Sequence, residues 1–105
     1  MITSIVNFTL PLPITLEKVT DLFEKGADNY RTVPGLIRKY YLLSNDGRTA
    51  GGVYLWESQE QAADFYNQEW FQLIEEKYHS KPIISYFQTP VIVDNLAGTL
   101  IVNRP

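Results

Sequence analysis

The chain has no cysteine and one histidine among its 105 residues. Disulfides, thiolate metal centres and thiol nucleophiles are therefore excluded. His79 standing alone also excludes any metal site built on two or more imidazoles. Basic residues are few and scattered, and the net charge is −3. That balance argues against a partner held by phosphate neutralisation, so no nucleic acid is expected. No apolar run approaches the length of a membrane span, and the opening "MITSIVNFTLPLP" lacks a basic segment before its apolar residues. A cytoplasmic chain without a membrane partner is the expectation. No carboxylate pair, nucleophile triad or phosphate loop stands out.

What the chain does have is rings. Seven Tyr, five Phe and two Trp make 13% of it, enough to fill a core, an interface or a pocket for a flat ligand. The length suits a single domain over 1–105.

Periodicity orders the elements. Residues 2–10 alternate as a strand, with Ile2, Val6, Phe8 and Leu10 on one side and Ile5 and Asn7 on the other. Thr15 can cap a helix whose stripe is Leu16, Val19, Leu22, Phe23, Ala27 and Tyr30, and "VPG" at 33–35 ends it. Strands at 36–44 and 49–57 flank Asp46-Gly47, a strong hairpin signal. Ser58 and Gln61 form a capping box before a second helix, with a kink or break at "NQEW". "IISYFQTPVIVD" reads as one strand with Pro90 at a sheet edge, and "TLIVN" as a weaker tail strand expected to join a sheet edge.

The order is β-α-β-β-α-β plus a tail. It predicts an α+β ferredoxin-like sandwich, with an antiparallel sheet and both helices on one face. The middle strands are apolar on both sides: Tyr40 and Leu42 alternate with Tyr41 and Leu43, and Val53 and Leu55 with Tyr54 and Trp56. Two apolar faces both need cover, so a homodimer packed sheet to sheet is expected.

"VPGLIRKYYLLSNDGRTAGGVYLWESQEQAADFY", residues 33–66, resembles the central block of the dimeric α+β-barrel superfamily. The branch is that of the small bacterial mono-oxygenases related to antibiotic-biosynthesis mono-oxygenases. A Pro-Gly after the first helix, a hairpin, a Gly-Gly-aliphatic-Tyr strand and an Ala- and aromatic-rich helix carry the likeness. The resemblance implies a homodimer with a pocket between sheet and helices in each subunit. It also implies oxidation of a small aromatic or quinol-like molecule by dioxygen, without flavin or metal cofactors. Asn7 and His79 are then the candidate catalytic residues, and Gly52, Trp56, Phe65, Trp70 and Tyr86 the candidate substrate pocket. A sister group degrades haem with a first-strand Asn and a Trp and His on the second helix. Here those last two positions fall on Phe65 and Glu75, and a glutamate is a poor axial ligand for haem iron.

Each candidate has a plainer structural reading. Gly51-Gly52 suits a bulge or a close crossing of strands as well as a ligand lying flat over the sheet. Asn7 can satisfy itself on a neighbour, His79 suits an exposed helix C-terminus, Trp56 and Trp70 suit core or interface anchoring, and Tyr86 suits sheet packing. Arg38 and Lys39 put one charge on each side of an edge strand, which guards against edge pairing. Two further functions stay open: a non-catalytic binding protein for a small apolar metabolite, and a structural homodimer whose pocket is filled by its own rings.

Overall fold

The computed structural model describes residues 1–104. Strand β1 (Ile2–Thr9) leads to α1 (Leu16–Ala27), which closes in a short 3-10 turn, Asp28–Tyr30. The hairpin β2 (Leu36–Leu43) and β3 (Thr49–Trp56) follows, then α2 (Gln59–Phe65), α3 (Gln68–Tyr78) and β4 (Ile83–Gln88). A second hairpin, β5 (Val91–Asp94) and β6 (Thr99–Val102), ends the chain. The main sheet has the order β2-β3-β1-β4 and its pairs are antiparallel. This is the α+β ferredoxin-like arrangement, with β2 and β4 at the edges.

Local chemistry sets the boundaries. The Thr15 hydroxyl accepts from the Lys18 N–H at 3.2 Å, and Ser58 Oγ from the Gln61 N–H at 3.2 Å, so both expected caps form. The "NQEW" stretch is a true break. Asn67 Oδ1 accepts from the Trp70 N–H at 2.9 Å and starts α3 afresh, turning Trp70 inward. The segment 83–94 is two strands rather than one. Proline has no N–H to continue the ladder, and Thr89-Pro90 separates β4 from β5. The tail strand pairs with β5 in its own two-stranded sheet instead of extending the main one.

Alternation divides the sheet's two faces. Ile2, Ser4, Val6 and Phe8 of β1 and Ala50, Gly52, Tyr54 and Trp56 of β3 point to the helices and are buried. Val19, Ala62, Tyr66, Trp70, Ile74 and Tyr78 cover them. Removing this much apolar surface from water, at about 25 cal/mol per Å², supplies the main driving force for the fold. The opposite face has no helix over it and leaves Tyr40, Leu42, Ile83 and Phe87 exposed. The β5–β6 hairpin reaches one end of that face, where Asp94 lies 3.5 Å from Arg38 of β2.

A polar chain crosses the core. The Trp56 indole N–H donates to Ser4 Oγ at 2.9 Å, and that oxygen lies 2.7 Å from the Tyr66 hydroxyl. Ser4 and Trp56 are fully buried, so each group depends on the others for its hydrogen bond.

Candidate functional site: an aromatic cavity holding two lysines

Between the helical layer and the sheet lies a cavity of about 220 Å³. Val6, Tyr41 and Tyr54 supply its sheet side, Phe23 and Tyr30 the α1 side, and Trp70 and Tyr78 the α3 side. Pockets for drug-sized ligands run to about 300–1,000 Å³, so this one suits a molecule of one or a few small rings. Its wall is mostly ring surface. Tyr30 meets Tyr41 edge-on with centroids 6.0 Å apart, and Phe23 lies 4.6 Å from Tyr41. Such edge and tilted contacts hold each ring in one orientation.

Into this apolar wall the fold inserts Lys39. Ile37 is an extra residue in β2, because Leu36 pairs with Trp56 while Arg38 pairs with Leu55. Beyond this bulge Arg38 and Tyr40 face the open side, whereas Lys39, Tyr41 and Leu43 face the helices. The two neighbouring charges do lie on opposite faces, as alternation requires, but the inward one enters a cavity. Lys39 Nζ sits 3.4 Å from the Tyr30 ring centroid, 3.7 Å from Tyr41 and 4.7 Å from Tyr54. Two effects oppose each other here. Ring faces attract an ammonium, while burial strips its water. The loss of water, with the Lys77 charge adding repulsion, pushes Lys39 from its ordinary value down to about 6. Lys39 is therefore largely a neutral amine at pH 7. Burial acts on the phenols in the other direction: it raises Tyr41 and Tyr54 well above the usual range and Tyr78 to about 12. These hydroxyls keep their protons, so they act as hydrogen-bond donors rather than bases.

The glycine pair is explained by what a side chain there would strike. A Cβ on Gly51 would run into the carbonyl oxygen of Val6 in the neighbouring strand. One on Gly52 would sit 2.8 Å from the Tyr40 carbonyl oxygen, 3.2 Å from the Tyr54 ring and 3.4 Å from Lys39 Cε. Close strand contact is the reason for the first glycine. The second is likewise set by close strand contact, the Tyr40 carbonyl first and the Tyr54 ring next.

The candidates named from sequence fall into three groups. Phe65 and Trp70 line the cavity. Gly52 and Trp56 lie in the inner sheet layer next to it; the Trp56 ring stacks 6.0 Å from Tyr54 and is fully buried. Tyr86 is on the same face but further along, 6.4 Å from the Tyr66 ring and partly exposed. Asn7 and His79 lie apart from the cavity. Asn7 shares the parity of Ile5 and points to the open face, exposed. His79 ends α3 in a left-handed conformation, φ 58°, with its side chain exposed. Neither belongs to the group of side chains gathered around Lys39. Lys39, Tyr30, Tyr41, Tyr54 and Lys77 were not read as site residues from sequence, although the parity Lys39 shares with Tyr41 and Leu43 was a usable signal. Glu75, the position compared with a haem ligand, is likewise absent from the cavity wall. Among the described residues no cluster of His, Cys, Asp or Glu could hold a metal ion.

Residues 4–85 match the family model described as "Putative mono-oxygenase ydhR". The chain belongs to this family. The match runs from β1 through β4 and so contains every residue of the cavity. Among solved structures, a mono-oxygenase from the ActVA-Orf6 gene of Streptomyces coelicolor, in complex with nanaomycin D, is similar. It is 22% identical with a TM-score of 0.67, over 88% of this chain and 89% of that one. SnoaB, a cofactor-independent oxygenase from Streptomyces nogalater, is 16% identical with a TM-score of 0.62, over 84% of this chain and 91% of that one. At these identities the likeness establishes a shared fold. A search of the curated proteins finds no match.

Proposed function

We propose that the chain is a cofactor-independent mono-oxygenase acting on a small aromatic or quinol-like molecule, bound in the cavity between helices and sheet. The observation that carries this reading is the cavity, an aromatic-walled space of about 220 Å³ that holds an amine, in a chain of a mono-oxygenase family. An activated ring carbon bearing two hydrogens can be oxidised to a carbonyl by one dioxygen. One oxygen atom forms the new C=O bond, and the other leaves as water with the two hydrogens. All four electrons come from the substrate, so the reaction needs no separate reductant. The protein's part is to hold the ring flat between Tyr and Trp faces, exclude bulk water and accept a proton as the substrate becomes an electron-rich anion.

The working unit in this reading is a homodimer. The open face of the sheet exposes Tyr40, Leu42, Ile83 and Phe87 together, and the β5–β6 hairpin adds Val91, Val93, Leu100 and Val102. A second copy of the same surface would cover them, which supports sheet-to-sheet packing with one cavity per protomer on the outer, helical side.

The test is an oxygen-electrode assay over a panel of anthrones, naphthols and quinols, with no flavin or metal added. Uptake that requires the aromatic compound and falls at least tenfold in Trp70→Ala supports the reading. Stabilisation by these compounds without uptake would assign a binding role instead. Silence in both assays would refute an aromatic-ligand role.

A further inference from the structure

The cavity wall is one-sided in its chemistry. Lys39 and Lys77 both line it, and no Asp or Glu does. The ion pairs among the described residues are Arg31–Asp28 and Arg38–Asp94, so neither cavity lysine has a carboxylate within reach. Lys77 is exposed and keeps water around its charge, whereas the Trp70 indole N–H is buried and has no acceptor among the described residues. Every titratable group facing Lys39 is a phenol or a cation. Tyr30 belongs to the turn after α1, Tyr41 and Tyr54 to the sheet, and Lys77 and Tyr78 to α3. A buried donor without an acceptor is costly, and an amine stripped of much of its water gives up its charge unless an anion comes with it. Such a site is complementary to a guest that brings an oxygen anion with it.

Resting on the mono-oxygenase reading, we propose that the substrate enters as a phenol or as the enol tautomer of a ring ketone, and that Lys39 Nζ takes its hydroxyl proton. The O–H bond breaks, its electron pair stays on the oxygen, and the proton forms a fourth bond on the amine nitrogen. The product of this step is a phenolate beside an ammonium. The Lys39 ammonium, the Lys77 ammonium and the Trp70 N–H then hold the anion. The pair is neutral overall, so it avoids the isolated charge that the apolar wall disfavours. The Lys39 amine meets the requirement for a general base, a group neutral at working pH and close to the ring it serves. Its place among Tyr30, Tyr41 and Tyr54 puts the base on the cavity wall, where a guest's hydroxyl can meet it.

The proposal separates from the oxygen chemistry experimentally. 4-Nitrophenol, yellow only when ionised and titrated with dioxygen removed, serves as a probe that is bound but not oxygenated. Titrated against the wild-type chain at pH 6, its ratio of ionised to neutral form should be about tenfold higher when bound than when free, a change of about one pKa. In Lys39→Met the bound probe should ionise no more readily than in water. In Lys39→Arg, which supplies a permanent cation and no proton-accepting amine, the probe should still bind as phenolate. With a substrate that supports uptake in the wild type, the limb of the rate profile near pH 6 should vanish in Lys39→Arg. Failure of the probe to bind at millimolar concentration overturns the proposal, as does equal ionisation in wild type and Lys39→Met, or an unchanged rate profile in Lys39→Arg. If no compound supports uptake yet the probe ionises in a Lys39-dependent way, the mono-oxygenase reading falls and the assignment of an acidic phenolic guest to Lys39 stands.

Discussion

Replacing Lys39 by methionine keeps most of the side chain's volume and removes its amine. In the folded chain that amine holds its proton only below about pH 6. In the unfolded chain it holds it up to about pH 10.4. Between those values the unfolded state binds more protons, so folding stability rises with pH, by at most about 1.4 kcal/mol per pH unit for one group. Summed from pH 6.5 to 9, the single-site expression gives about 3 kcal/mol, and water reaching the half-buried side chain trims this toward about 2. For a domain of this size that corresponds to a rise in the melting midpoint of roughly 8–20 °C. The window must stop there. Above about pH 10 the buried phenols, whose values are raised, reverse the trend, because the folded chain keeps protons that the unfolded chain releases. Thermal melts of wild type and Lys39→Met at half-unit steps provide the assay. The wild type should climb across the window and the variant should stay nearly flat, with the variant the more stable at pH 6.5. Parallel curves would refute the claim that Lys39 is held neutral by its surroundings.

Other parts of the structure give sharper local expectations. Ser4→Ala should destabilise the fold by about 2 kcal/mol, read by urea denaturation, because it leaves the Trp56 N–H and the Tyr66 hydroxyl without their shared buried partner. His79→Gly should raise stability by about 1 kcal/mol, since glycine takes the left-handed conformation at φ 58° without strain, and it should leave oxygen uptake unchanged because His79 lies outside the cavity. Phe87→Glu, on the open sheet face, should dissociate the proposed dimer by sedimentation while the far-ultraviolet spectrum stays native. Ending the chain after Asp94 should weaken the proposed dimer at low micromolar concentration, because it removes β6 and breaks the terminal hairpin.

The main architecture was readable because its signals are local and repeated. Alternation in β1 separated Val6 and Phe8 from Ile5 and Asn7, and the structure keeps that division. Thr15, Ser58 and Asp46-Gly47 mark boundaries through short-range hydrogen bonds and turn geometry, and each forms where expected. The C-terminal region was harder. "TLIVN" carries a strand pattern but nothing that names its partner, and pairing with β5 follows from the turn between them. The site was the least legible part. Trp70 and Phe65 stand out by size and helical spacing, and they do reach the cavity. Lys39 does not, because a charged residue on an edge strand is ordinarily solvated. What makes it unusual is its surroundings. Tyr30 and Tyr54 lie 9 and 15 positions away in sequence, and only tertiary packing brings their rings over its amine. Asn7 shows the converse, a residue conspicuous by type that the pleat turns to the other face.

The most direct test of the account is mass spectrometry of the product formed from an anthrone or naphthol under ¹⁸O₂, with purified chain and no added flavin or metal. The account predicts a quinone carrying one labelled oxygen atom, formed at a rate that depends on the protein and falls in Trp70→Ala. A quinone with no label above the level without protein, or no product at all across the panel, would contradict it.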